Sequence, residues 1–131
     1  MRSRGVSVWS LAVALLLVVG SAAVLVAQTK REFSVTGRRY TYVVSDTTKP
    51  EIRVRLNDMV VITFTAEDIP HSFTISDYRV DQRAKPGSPT VIRLRADKAG
   101  TFEIRCTLTD DPRCLKEMRG QFIVVGPGAE R

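Results

Sequence analysis

The chain has 131 residues and carries 20 Lys and Arg against 14 Asp and Glu, a formal net charge of +6. That length holds one domain but not comfortably two. The positive charge suits an acidic redox partner or anionic lipid, and is too small and too dispersed to argue for nucleic acid.

Arg2 and Arg4 precede an apolar run from Val8 to Ala27, diluted only by Ser10, Gly20 and Ser21. A helix of about 20 residues spans about 30 Å, the thickness of a bilayer core. The run is longer than the usual apolar stretch of a cleaved signal, although Ser21-Ala22-Ala23 and Ala27 offer small residues for cleavage. Residues 1–27 therefore read as a signal peptide or a transmembrane anchor. Positive charge on the short leading flank keeps that end in the cytoplasm. The rest is expected outside it, periplasmic or extracellular, anchored or secreted. Without Arg2 and Arg4 the exported part keeps 18 basic and 14 acidic residues, a net of +4. Residues 28–36 read as a spacer, 37–126 as the folded domain and 127–131 as a tail.

Within the domain the apolar pattern has period two. Tyr40, Tyr42 and Val44 alternate with polar residues, as do Ile52, Val54 and Leu56, then Val60, Ile62 and Phe64. Ile92 and Leu94 alternate with arginines, and Phe102, Ile104 and Cys106 with Glu103 and Arg105. Gln121 to Val125 supplies a closing strand. Such alternation marks strands with one face in a core and one in water. Thr48-Lys49-Pro50, Asn57-Asp58, Lys85-Pro86-Gly87 and Ala99-Gly100 are turn chemistry between them. Seven or eight strands in two sheets are expected, with Ile62, Phe64, Ile92, Leu94, Phe102 and Ile104 in the core. One short helical piece is expected near Cys114 to Met118.

Few side chains here can do more than pack. The one histidine, His71, stands in Asp68-Ile69-Pro70-His71-Ser72-Phe73. Cys106 ends an inward-facing series, and Cys114 and Met118 follow before the last strand. One imidazole, two thiols and a thioether form a soft donor set of the kind that suits copper, a single mononuclear ion, better than zinc. Outside the cytoplasm, however, two thiols commonly end as a disulfide unless a metal claims them. No acid–base pair, second metal site or further histidine is present for an oxidase or reductase, so no enzymatic activity is expected.

The stretches "EIRVRLNDMVVITFTAEDIPHSF", "GTFEIRC" and "MRGQFIVV" carry a resemblance. Residues 35–125 resemble the cupredoxins, in particular the copper domain of cytochrome c oxidase subunit II and its small relatives. The resemblance implies an all-β, Greek-key β-sandwich and one-electron transfer in a respiratory setting, with a respiratory redox protein as partner. It places His71 as the first copper-binding histidine, Cys106 as the ligand ending the penultimate strand and Met118 as the ligand before the last. The departures are specific. Asp110 stands where the binuclear centre of the oxidase needs a second cysteine, so that centre is not expected. No second histidine lies between Cys106 and Met118, and Cys114 occupies about its place.

Three readings stay open at this point. Cys114 replaces the missing histidine, and copper is held by His71, Cys106, Cys114 and Met118, for electron transfer or for Cu(I) handling and delivery. Alternatively Cys106 and Cys114 form a disulfide in a metal-free interaction domain, the closed loop adding roughly 2–3 kcal/mol. In the third reading the thiols stay reduced and the site is degenerate.

Overall fold

The computed structural model describes residues 29–128. The expected signal or anchor helix, and the last residues of the tail, lie outside this range. Among the described residues no helix is long and apolar enough to cross a membrane.

Among the described residues nine strands form two sheets. They are β1 (Lys30–Arg38), β2 (Thr41–Val44), β3 (Glu51–Arg55), β4 (Met59–Ala66), β5 (His71–Ile75), β6 (Val80–Ala84), β7 (Thr90–Arg95), β8 (Gly100–Arg105) and β9 (Arg119–Val125). One sheet has the order β2-β1-β4-β7 and the other β3-β9-β8-β5-β6. The β1–β4 and β3–β9 pairs run parallel, and the remaining pairs antiparallel. A helix, α1 (Pro112–Glu117), interrupts the path from β8 to β9.

The period-two reading explains these strands. Val60, Ile62, Phe64 and Ala66 of β4 are buried while their neighbours are partly exposed. Ile92 and Leu94 of β7, and Ile104 of β8, are buried between exposed neighbours. Tyr42, Phe64 and Phe73 meet at ring separations of 5.5–6.0 Å in the centre of the sandwich. Each such buried ring contributes on the order of 2–3 kcal/mol relative to exposure.

Four details differ from the sequence reading. Lys30–Arg38 is a strand, not a spacer followed by the domain, and the sandwich starts at Lys30. Its first three residues are charged and exposed, alternation starts only at Phe33, and the strand is held by parallel pairing to β4. The strand count is nine rather than seven or eight, because this added strand and the short β6 were not marked by pattern. Phe102 is only partly buried, sitting against Tyr78 and Phe122 at the sandwich margin. Tyr40 lies in the turn between β1 and β2, not in the inward series.

Strand β5 is buried along its whole length, with no alternation. One face meets the core; the other, Ser72 and Thr74, is covered by Thr107, whose hydroxyl lies 3.1 Å from both of theirs. This covering draws the segment after β8 over the start of β5, and so sets the site.

Candidate metal centre

His71 opens β5 directly after Pro70 and is fully buried. Its ring is held on several sides. Nε2 lies 2.8 Å from Oδ1 of Asp68, three residues earlier. The Tyr40 ring meets it edge-on at 6.3 Å. On β1, Gly37 lies so close that a Cβ there would stand 2.9 Å from His71 Cδ2. Nδ1 has no hydrogen-bond partner although it is buried. An unsatisfied buried polar atom costs about 1–3 kcal/mol, so native folds rarely retain one.

Cys106 follows β8 immediately, where the antiparallel pairing of β8 with β5 and β9 brings it beside the start of β5. The backbone N–H of Ser72, the residue after His71, donates to Cys106 Sγ at 3.3 Å. Ser72 fixes this corner from both sides. Its carbonyl accepts from the buried Tyr42 hydroxyl at 2.5 Å, and its own hydroxyl accepts from Thr107 N at 2.7 Å. Burial pushes the Tyr42 phenol well above its usual range, so it stays a donor.

Cys114 is brought in by α1. The helix starts at Pro112, whose missing N–H suits the first turn, and Asp111 caps it by accepting from Arg113 N and Cys114 N. Asp111 is therefore the cap that aims Cys114 inward. Arg113 and Glu117 pair along the outer face at 2.8 Å, and the Arg113 guanidinium lies 4.4 Å over the Tyr40 ring. Met118 ends the helix, fully buried, its carbonyl accepting from Cys106 N at 3.3 Å. His71, Cys106, Cys114 and Met118 thus gather at one end of the sandwich, none more than 1% exposed.

Of the readings left open by the sequence, the structure takes the disulfide. Cys106 and Cys114, 8 residues apart, are bonded with their Cα atoms at 5.3 Å. The set in which both sulfurs act as ligands is not formed in this state, because a metal takes the thiolate and not the disulfide. Accordingly, among the described residues no group of three His, Cys, Asp or Glu side chains is arranged to hold a metal ion. After reduction the same positions would offer two thiols, the thioether of Met118 and the open Nδ1 of His71. That set fits copper, and the unpartnered Nδ1 is the observation that says so.

Sequence reasoning missed Asp68, Ser72, Gly37, Tyr40 and Thr107. Asp68 and Ser72 were within the motif around His71, and the spacing of an acid three residues before a histidine was the available signal. Gly37 lies at the edge of the expected domain with nothing in its pattern to mark it, and Tyr40 was read as a strand residue rather than as a neighbour of His71.

A two-sheet sandwich of mixed strands, with a histidine, a cysteine and a methionine drawn to one end, is the architecture of a cupredoxin. The chain belongs to that family: the family of cupredoxin-like domains matches it over residues 9–124. Over 67 residues, 51% of the chain, it is 34% identical to cytochrome c oxidase subunit 2 of Thermostichus vulcanus, and this match spans only 20% of that protein. The periplasmic domain of subunit II of cytochrome oxidase from Bradyrhizobium japonicum superposes with a TM-score of 0.61 at 20% identity, covering 79% of this chain and 89% of that one. Auracyanin A, a blue copper protein of Chloroflexus aurantiacus, superposes with a TM-score of 0.58 at 15% identity, over 73% and 99% of the two chains. At such identities the structural matches speak for the fold.

Proposed function

We propose that this is an extracytoplasmic, non-enzymatic electron-transfer domain that takes one copper ion at His71, Cys106, Cys114 and Met118 once the Cys106–Cys114 bond is reduced. The observation that carries the reading is the buried, unpartnered Nδ1 of His71, a residue whose chain neighbour Ser72 donates its backbone N–H to Cys106 Sγ. Membership in the cupredoxin-like family and the likeness to oxidase subunit II support a respiratory redox partner. The likeness to a domain named as periplasmic supports a location outside the cytoplasm, with residues 1–27 as signal or anchor.

Copper held there supplies a one-electron couple. The chain does the rest. Asp68, Gly37 and Tyr40 hold the imidazole in one orientation. Ser72 N–H donates to the Cys106 sulfur and would stabilise it as a thiolate. Complete burial of the four residues excludes water and limits reorganisation between oxidation states. That burial favours an electron carrier over a Cu(I) delivery protein, which needs an accessible site for exchange.

The test is optical. Reduced protein loaded with Cu(II) should show an intense thiolate-to-copper absorption that Cys106→Ser abolishes. The disulfide supports a second reading, a metal-free interaction domain with a structural bond. Failure of the reduced protein to retain copper through gel filtration would leave that reading alone.

A further inference from the structure

The two ends of the sandwich carry charge differently. At the end that holds His71, Cys106, Cys114 and Met118, acids meet the arginines. Arg38 pairs with Glu67, Arg39 with Asp68 at 3.9 Å, Arg113 with Glu117 at 2.8 Å and Arg119 with Glu103. The opposite end is where the chain enters the domain. Only Gln28 separates the apolar run ending at Ala27 from Thr29, whose carbonyl accepts from Met59 N at 2.9 Å. Lys30, Met59 and Arg95 stand side by side across the sheet, with Glu32, Val61 and Arg93 in the next row on the same face. Lys98 Nζ donates to the Asp77 carbonyl at 2.6 Å, which ties the turn between β5 and β6 to this end. Glu32 is taken by Lys30 at 2.7 Å, and Asp58 is buried and accepts from Arg55 N at 2.9 Å. That leaves Asp77 and Asp97 exposed against Arg31, Arg79, Arg93, Arg95 and Lys98, an excess of three positive charges. Among the described residues none of these four arginines has a carboxylate within ion-pair distance.

We infer that this basic end is a lipid-facing surface: it lies against the anionic headgroups of the bilayer that holds residues 1–27, with the His71 end turned away. The inference rests on those residues serving as an anchor and is independent of copper. One residue between the apolar run and the first bonded residue of the domain leaves no room for a spacer, so the entry end stays at the membrane surface. That same end carries the arginines without acid partners. Each Lys or Arg held near an anionic surface strengthens docking about five-fold. Strand β4 has 8 residues and runs from the entry end to Ala66, which pairs with Gly37 beside the His71 ring. At a rise of about 3.3 Å per residue it sets His71 roughly 25 Å from the headgroups.

The lysines of the chain report the orientation. Lys30 and Lys98 lie at the basic end, and Lys49, Lys85 and Lys116 toward the other. Full-length protein is placed in nanodiscs of zwitterionic lipid, with or without phosphatidylglycerol, and acetylated briefly before peptide mass spectrometry. In the anionic discs Lys30 and Lys98 should react several-fold more slowly than in the zwitterionic ones, while the other three keep their rates. Salt at about 1 M, which shortens the screening length to about 3 Å, should remove the difference. The double variant Arg93→Gln, Arg95→Gln should loosen docking by about 25-fold and restore the reaction of both lysines. Lipid and salt are varied on the native protein, so the test does not depend on the variant folding. Equal rates in both lipids, or slowing of Lys49, Lys85 or Lys116 instead, would overturn the lipid-facing surface and leave the anchor standing. Release of the full chain from vesicles by an alkaline carbonate wash would overturn the anchor, and the orientation with it.

Discussion

Reduction of the Cys106–Cys114 bond is the perturbation whose size follows most directly from the fold. The two cysteines are 8 residues apart and both buried. Closing so short a loop removes unfolded-chain entropy worth about 2.6 kcal/mol at 25 °C. Reduction leaves both sulfurs in place, so no cavity forms, and α1 keeps its Asp111 cap and its Arg113–Glu117 pair. The loss should therefore be near the entropic value alone. For a domain of about 100 residues each kcal/mol shifts Tm by about 4–8 °C, which gives a fall of about 10–20 °C. Because the sulfurs are shielded, the reduced protein is best prepared by refolding under a phosphine reductant, with two free thiols verified by titration. Differential scanning calorimetry of the two metal-free forms then reads the difference. A Tm fall below about 3 °C, with both thiols free, would refute the account of the bond as a loop constraint. So would free thiols in denatured protein that had never met a reductant.

Gly37→Ala places a methyl carbon 2.9 Å from the buried His71 ring and should destabilise the domain by about 1–3 kcal/mol in urea titrations; an unchanged midpoint would show that the ring is not clamped there. Met118→Leu, close in volume, should keep copper and shift its reduction potential in voltammetry, and an unshifted potential would remove the thioether from the ligand set. A reporter fused after Arg131 should be active only outside the cytoplasm; activity inside would end the export reading.

Fold and site were legible to different degrees. Strands with one wet and one dry face, such as β4, β7 and β8, announced themselves by alternation. The start of β1 could not, since Lys30 to Glu32 are charged and exposed and their place depends on parallel pairing with β4, a partner that no local pattern names. The wholly buried β5 has no period either, yet its motif marked His71. The convergence of His71, Cys106, Cys114 and Met118 was readable only through the family resemblance. Whether the sulfurs face a metal or each other could not be read, because the same spacing serves both. Asp68 was in view as part of the motif, but its bond to Nε2 depends on the turn through Pro70, which only the structure supplies.

The central claim is that one copper ion enters at this end of the sandwich and that the disulfide excludes it. Anaerobic titration of the full chain with Cu(I), in competition with a chromophoric chelator, tests both parts together. The account predicts one copper per reduced chain, none retained by the disulfide form, and loss of the high-affinity uptake in reduced His71→Ala. Equal uptake by reduced and oxidised protein, or by native and His71→Ala protein, would contradict it.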